Sequence, residues 1–94
     1  MAIDSIRRKT DAVRALGATA LYVFGSIARD EAKTNSDIDV FVEYDAAKKF
    51  SLLDLAGIKV LLEDELGIAV DVTTRDSLHP LLRERIEQSA IRVF

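Results

Sequence analysis

Ninety-four residues with 49% apolar side chains suffice for a single globular domain, read over residues 1–94, and exclude a disordered tail. A formal charge of −3, with the basic residues dispersed along the chain, disfavours direct nucleic-acid binding and favours a small-molecule or protein substrate. No apolar run approaches the ~20 residues of a membrane span, no apolar signal core opens the chain, and the absence of cysteine excludes a disulfide framework and fits a cytoplasmic protein.

Ile3, Ile6, Thr10, Val13 and Leu16 recur at helical spacing and predict an N-terminal helix stopped by Gly17. Ala20 to Phe24 is a short apolar run of strand formers ended by Gly25. A short helix is expected from about Ser26 to Lys33, closed by the polar Thr34-Asn35-Ser36. Asp37 to Tyr44 reads as a strand by alternation and β-branching. Ser51 with Asp54 three residues on is close to a capping box and opens a helix to Leu66, with Leu55, Ile58, Leu62 and Leu66 as its buried stripe. Gly57 within that helix points to close packing, and Gly67 ends it. Ile68 to Thr73 is a third strand. Ser77 and Pro80 mark the first turn of a last helix, with Leu78, Leu81, Leu82 and Ile86 facing inward. Ile91 to Phe94 is read as a terminal strand. Strands separated by helices predict an α/β sheet layered with helices.

The chemistry begins with Asp37 and Asp39. Residues i and i+2 of a strand share a face, so both carboxylates project away from Ile38, Val40 and Val42. Two carboxylates at that distance repel, and a hard divalent cation such as Mg²⁺ removes the penalty. An exposed strand end with solvated acids gives the same short pattern. Asp71, between Val70 and Val72, points to the same kind of face; it converges on the pair if its strand lies beside theirs. Gly25-Ser26 joins a strand to a helix start, where free amides and the helix dipole suit an anion, although a plain turn with a serine cap looks alike. Neither a P-loop nor a dinucleotide fingerprint is present.

The combination is more specific than its parts. Gly25-Ser26, ten residues, then Asp37-Ile38-Asp39 reads G-S-x10-D-x-D. The stretches Phe24 to Asp30 and Asn35 to Val40 resemble the signature of the DNA-polymerase-β-like nucleotidyltransferase superfamily. In particular the chain resembles the minimal nucleotidyltransferases (MNT), the antitoxin partners of HEPN toxins. That resemblance extends through Val70-Asp71-Val72 to the tail. It implies an α/β (α+β) fold with a small mixed sheet and helices packed mainly on one face. It implies ATP as substrate, with Gly25 and Ser26 at its β and γ phosphates, and two Mg²⁺ held by Asp37 and Asp39. Asp71 would ligate the catalytic metal and help deprotonate the attacking hydroxyl, with pyrophosphate leaving. The implied partner is a HEPN toxin, adenylylated on a tyrosine and held in a hetero-oligomer. An antitoxin acting by binding alone and a small-molecule nucleotidyltransferase are the alternatives.

Arg29 either reaches a phosphate or braces Asp30 or Asp37, and Ser36 either orients the metal strand or breaks the loop before it. Arg75 is read as a solvated loop residue, His79 as a cap or packing residue, Lys48, Lys49 and Phe50 as an exposed loop, and Tyr22 and Tyr44 as packing residues.

Overall fold

The computed structural model describes residues 2–25 and 38–94. The chain starts with α1 (Ala2–Arg7) and α2 (Thr10–Ala15), continues through β1 (Ala18–Phe24) and β2 (Ile38–Tyr44), and then forms α3 (Leu52–Leu66) and β3 (Val70–Thr74). A short 3₁₀ turn, Arg75–Ser77, leads to α4 (Pro80–Ser89) and β4 (Ile91–Arg92). The expected helix from Ser26 to Lys33 lies outside the described residues.

The strands form one four-stranded sheet in the order β3-β2-β1-β4. β1 is antiparallel to β2 and β4, whereas β2 and β3 run parallel, with α3 as the crossover that parallel pairing demands. This is the small mixed sheet with helices that the family resemblance implied. The terminal strand is real but short, and its pairing is extended by the Val93 N–H donating to the Leu21 carbonyl at 2.8 Å.

One sheet face carries the main core. Leu21, Val23, Ile38, Val40, Val42 and Val70 are buried there against Ile6, Val13, Ile58 and Leu62 from the helices. Of the expected α3 stripe, Ile58 and Leu62 are fully buried and Leu55 and Leu66 flank them partly buried. The capping box forms with Asp54 as its acid: its amide donates to the Ser51 hydroxyl at 3.3 Å, and its carboxylate accepts from the Ser51 N–H at 2.9 Å. A β-carbon at Gly57 would meet the Leu16 methyls at 3.4 and 3.6 Å, an ordinary contact, so packing alone does not demand glycine there.

The predicted N-terminal helix is in fact broken at Arg8-Lys9. The Lys9 N–H donates to the Ile6 carbonyl, a tightened i→i−3 turn, and the Thr10 hydroxyl donates to the Arg7 carbonyl at 2.6 Å. Those bonds satisfy the end of α1, and both Ile6 and Val13 still reach the core. At the outer edge of the sheet, the Glu63 carboxylate accepts from the Val70 N–H and the Lys59 ammonium donates to the Val70 carbonyl. These contacts occupy edge groups that would otherwise be open to strand addition.

The last helix also departs from expectation. Leu78 is buried, but Leu81 is 84% and Leu82 is 48% exposed. α4 lies against β1 on the face opposite the main core, where only part of the helix finds apolar contacts. Its N-cap is His79, whose Nδ1 accepts from the Leu81 N–H at 3.2 Å, in keeping with a capping role. Phe50 is not a loop tip: its ring stacks on Tyr44 with centroids 4.9 Å apart and touches the core. Among the described residues no helix is long and apolar enough to cross a membrane.

Candidate active site

The face opposite the core is laid out in rows by the strand register. Asp39 pairs with Phe24 on one side and with Asp71 on the other. Directly opposed residues share a face, so the row Phe24-Asp39-Asp71 sets two carboxylates side by side on neighbouring strands. The next row places Tyr22 beside Phe41 and Thr73. Tyr22 and Phe41 stack with centroids 4.7 Å apart, Phe24 leans on Phe41 at 5.7 Å, and Phe41 is fully buried. An aromatic platform thus supports the acidic end of the sheet, and Asp71 is exposed while Asp39 is half-buried.

Gly25 closes the third side. Its φ is +73°, in the left-handed region that glycine adopts without strain. A β-carbon at this position would lie 2.5 Å from the Asp39 Oδ2. Gly25 at the end of β1 therefore abuts the Asp39 carboxylate on β2. Ser26, Arg29, Ser36 and Asp37 lie outside the described residues. Of the site expected from the sequence, the structure accordingly brings together Gly25, Asp39 and Asp71.

The donor set fits magnesium. Its oxygens are carboxylates on a rigid sheet, the hard ligands that Mg²⁺ selects, and they are few enough to leave coordination positions for water and phosphate. Among the described residues no cluster of three metal-binding side chains occurs, since only two of the three expected acids fall within them.

Two features of this face were not foreseen. Arg75 is no solvated loop residue: its guanidinium bonds Glu43 on β2 and Glu87 on α4, the latter at 2.9 Å, and Arg83 also bonds Glu87 at 2.9 Å. These carboxylates hold the Arg75 guanidinium well above its ordinary pKa, and the two arginines pull the Glu87 carboxyl down to about 2. This network ties α4 to the sheet. Tyr44 likewise donates to Asp76 at 2.7 Å, which raises the phenol. Asp76 itself is lowered, first by the Thr74 hydroxyl and then by Tyr44. The second feature is a cleft of about 520 Å³ between the end of β1 and α4, lined by Phe24, Gly25, Leu82, Arg85, Ile86 and Gln88. The signal in the sequence was the spacing of Leu82, Arg85, Ile86 and Ser89 along one helical face.

A parallel strand pair presenting aspartates in register beside a glycine turn is the framework of a nucleotidyl-transfer enzyme. The comparisons agree. A family model described as the nucleotidyltransferase domain matches residues 6–93, and the chain belongs to that family as one of its minimal nucleotidyltransferases. A candidate protein adenylyltransferase of Methanocaldococcus jannaschii is 46% identical over 95 residues, covering 100% of both chains. The protein adenylyltransferase MntA of Thermococcus cleftensis is 32% identical over 77 residues, 82% of this chain and 76% of its own. Among solved structures, a candidate minimal nucleotidyltransferase superposes with a TM-score of 0.77 at 38% identity, covering 97% of this chain and 95% of its own. A chain of the solved complex of the tri-AMPylated Shewanella oneidensis HEPN toxin with MNT antitoxin shares the fold, with a TM-score of 0.68 at 18% identity over 98% of this chain and 71% of that one.

Proposed function

We propose that this nucleotidyltransferase moves AMP from ATP, with Mg²⁺, to a tyrosine hydroxyl of a HEPN-type toxin, and so acts as an antitoxin. The observation that carries the reading is the in-register pair Asp39 and Asp71 beside Gly25. The relatives named as protein adenylyltransferases and the solved HEPN–MNT complex support the acceptor class and the partner.

In this reading Asp37 and Asp39 hold two Mg²⁺, and Asp71 completes the coordination of one of them. Mg²⁺ held by these carboxylates would neutralise charge during an in-line displacement. The chain's own share is positional. β2 and β3 fix the carboxylates on a sheet that packing cannot easily deform. Gly25 and Ser26 offer turn amides and a hydroxyl to the β and γ phosphates, and Arg29 and Ser36 complete the nucleotide contacts. Asp71, exposed at the rim, is placed to take the proton of the attacking hydroxyl. The hydroxyl oxygen then bonds the α-phosphorus, and the bond to the β-phosphate oxygen breaks as pyrophosphate leaves. Under this reading the toxin closes the open side of the site in a hetero-oligomer.

The test is transfer of label from α-labelled ATP to a purified HEPN-type toxin partner, with mass mapping of the modified residue. Labelling of a toxin tyrosine by the wild type, lost in the Asp37→Ala, Asp39→Ala double variant, is the expected result. A double variant that still neutralises the toxin would instead assign the antitoxin effect to binding alone.

A further inference from the structure

The two acids in register do not stand on equal footing. Asp39 belongs to β2, which has β1 on one side and β3 on the other. Asp71 is the second residue of β3, an edge strand with β2 as its one neighbour. The end of an edge strand opens readily, because half of its backbone groups have no strand to bond. A carboxylate carried there loses its register whenever the strand end lifts.

The peptide units leading into Asp71 are nevertheless held from both sides. In a trans peptide the C=O and N–H point opposite ways, and along a strand successive units alternate. The Ala69 carbonyl faces β2 and accepts from the Ile38 N–H at 3.1 Å. The N–H of that unit, on Val70, faces outward, where the Glu63 carboxylate accepts from it at 3.0 Å. In the next unit the directions reverse. The Val70 carbonyl faces outward and accepts from the Lys59 ammonium at 2.6 Å, so the Asp71 N–H is turned back toward β2. Lys59 also donates to the Glu63 Oε2 at 3.1 Å, which closes the clamp. Both side chains come from α3, one turn apart, and the Glu63 carbonyl accepts from the Gly67 N–H at 2.8 Å. The end of α3, the turn and the first strand residue are thereby tied together.

The clamp is selective in its placement. Among the described residues no other side chain bonds the backbone of β3. A guard against strand addition alone belongs along the whole edge, whereas this one sits on the residue before Asp71. Nor is stability its main yield, since both side chains are partly exposed and ion pairs at the surface contribute little. We propose that Lys59 and Glu63 are positioning residues for Asp71, standing in for the missing outer strand so that its carboxylate stays opposite Asp39. The inference rests on the nucleotidyltransferase reading above, in which Asp71 ligates a metal and takes the proton of the attacking hydroxyl.

The experiment compares the wild type with Lys59→Met, Glu63→Leu and Glu63→Gln. All three replacements favour helix, and the glutamine amide oxygen can still accept from the Val70 N–H. Circular dichroism reports their folding. Amide hydrogen exchange without Mg²⁺ should quicken at Val70 and Asp71 by about tenfold or more in Glu63→Leu and Lys59→Met, and stay near wild type in Glu63→Gln. In transfer from α-labelled MgATP to the purified toxin partner, the first two variants should lose about tenfold in kcat with KM for ATP within about twofold, because a slightly displaced carboxylate harms the reacting geometry before it harms nucleotide binding. Their half-saturating Mg²⁺ concentration should rise. Glu63→Gln should recover kcat to within about threefold of wild type, since it keeps the bond to Val70. Unchanged kcat in Glu63→Leu and Lys59→Met, or a loss carried by KM for ATP alone, would overturn the proposal. So would a Glu63→Gln variant as slow as Glu63→Leu, or slower transfer without faster exchange at Val70 and Asp71. A wild type that moves no label would instead defeat the nucleotidyltransferase reading, and this proposal with it, a result distinct from an active wild type with unaffected variants.

Discussion

The two faces of the sheet are built by different means. On the core face, Leu21, Val23, Ile38, Val40, Val42 and Val70 meet Ile58 and Leu62 with essentially no exposed surface. On the other face, Asp39 and Asp71 stand in register, a glycine turn presses against one of them, and α4 is anchored by Arg75, Glu43, Glu87 and Arg83. The same strands supply both, because alternate residues point opposite ways. Apolar burial on one side carries the stability that lets the other side keep like charges together. The difference teaches where substitutions should separate stability from activity.

The largest expected effect is on transfer. Asp39→Ala or Asp71→Ala removes a carboxylate from the proposed cation site, and a loss of several kcal/mol of transition-state stabilisation corresponds to about a thousandfold in rate. For Asp71→Ala the melting temperature without metal should hold or rise, because a like-charge neighbour of Asp39 has been removed. Label transfer and calorimetry of the same samples check both halves. Ile58→Ala or Leu62→Ala should do the reverse, lowering stability by about 2–5 kcal/mol, with the transfer rate of the folded fraction preserved. Equal damage to both properties by either set would show that the faces are not independent.

Gly25→Ala tests the place where the two functions touch. A methyl group there must displace the Asp39 carboxylate and also hold a left-handed φ. The backbone cost alone is on the order of 1–2 kcal/mol. The variant should therefore lose both stability and activity, and an activity loss larger than the stability loss would locate the damage at Asp39.

How much of this was readable beforehand follows from range. The positions of Asp39 and Asp71 were legible because strand alternation is local, and their meeting required only that β2 and β3 be neighbours. The capping box at Ser51 and Asp54 was legible for the same reason. The break at Arg8-Lys9 was not, because a turn that leaves Ile6 and Val13 on the core preserves the helical spacing of apolar residues. Leu81 and Leu82 carried the apolar signature of an inward face, yet α4 rests on a sheet face that is part acidic and leaves them exposed. Arg75 was misread because its partners, Glu43 and Glu87, stand 32 and 12 residues away, and no pattern within a helix or strand links them.

The smallest expected effect concerns the anchor of α4. Glu87 titrates near 2 in the folded chain against an ordinary 4.5, because Arg75 and Arg83 both favour its charged form. A carboxyl depressed in this way adds stability above its unfolded pKa and loses it as protons bind. The contribution of the anchor is therefore present at neutral pH and declines as pH falls from about 4.5 toward about 2. These side chains are close to solvent, so salt should weaken the anchor as well. Glu87→Gln should lower the melting temperature slightly at pH 7 in low salt, and the gap to wild type should narrow at pH 3 and in 1 M salt. A gap that stays constant across pH and salt would mean that packing, and not charge, holds α4 in place. The contrast between an apolar face and an ionically fastened one would then fail at its weakest point.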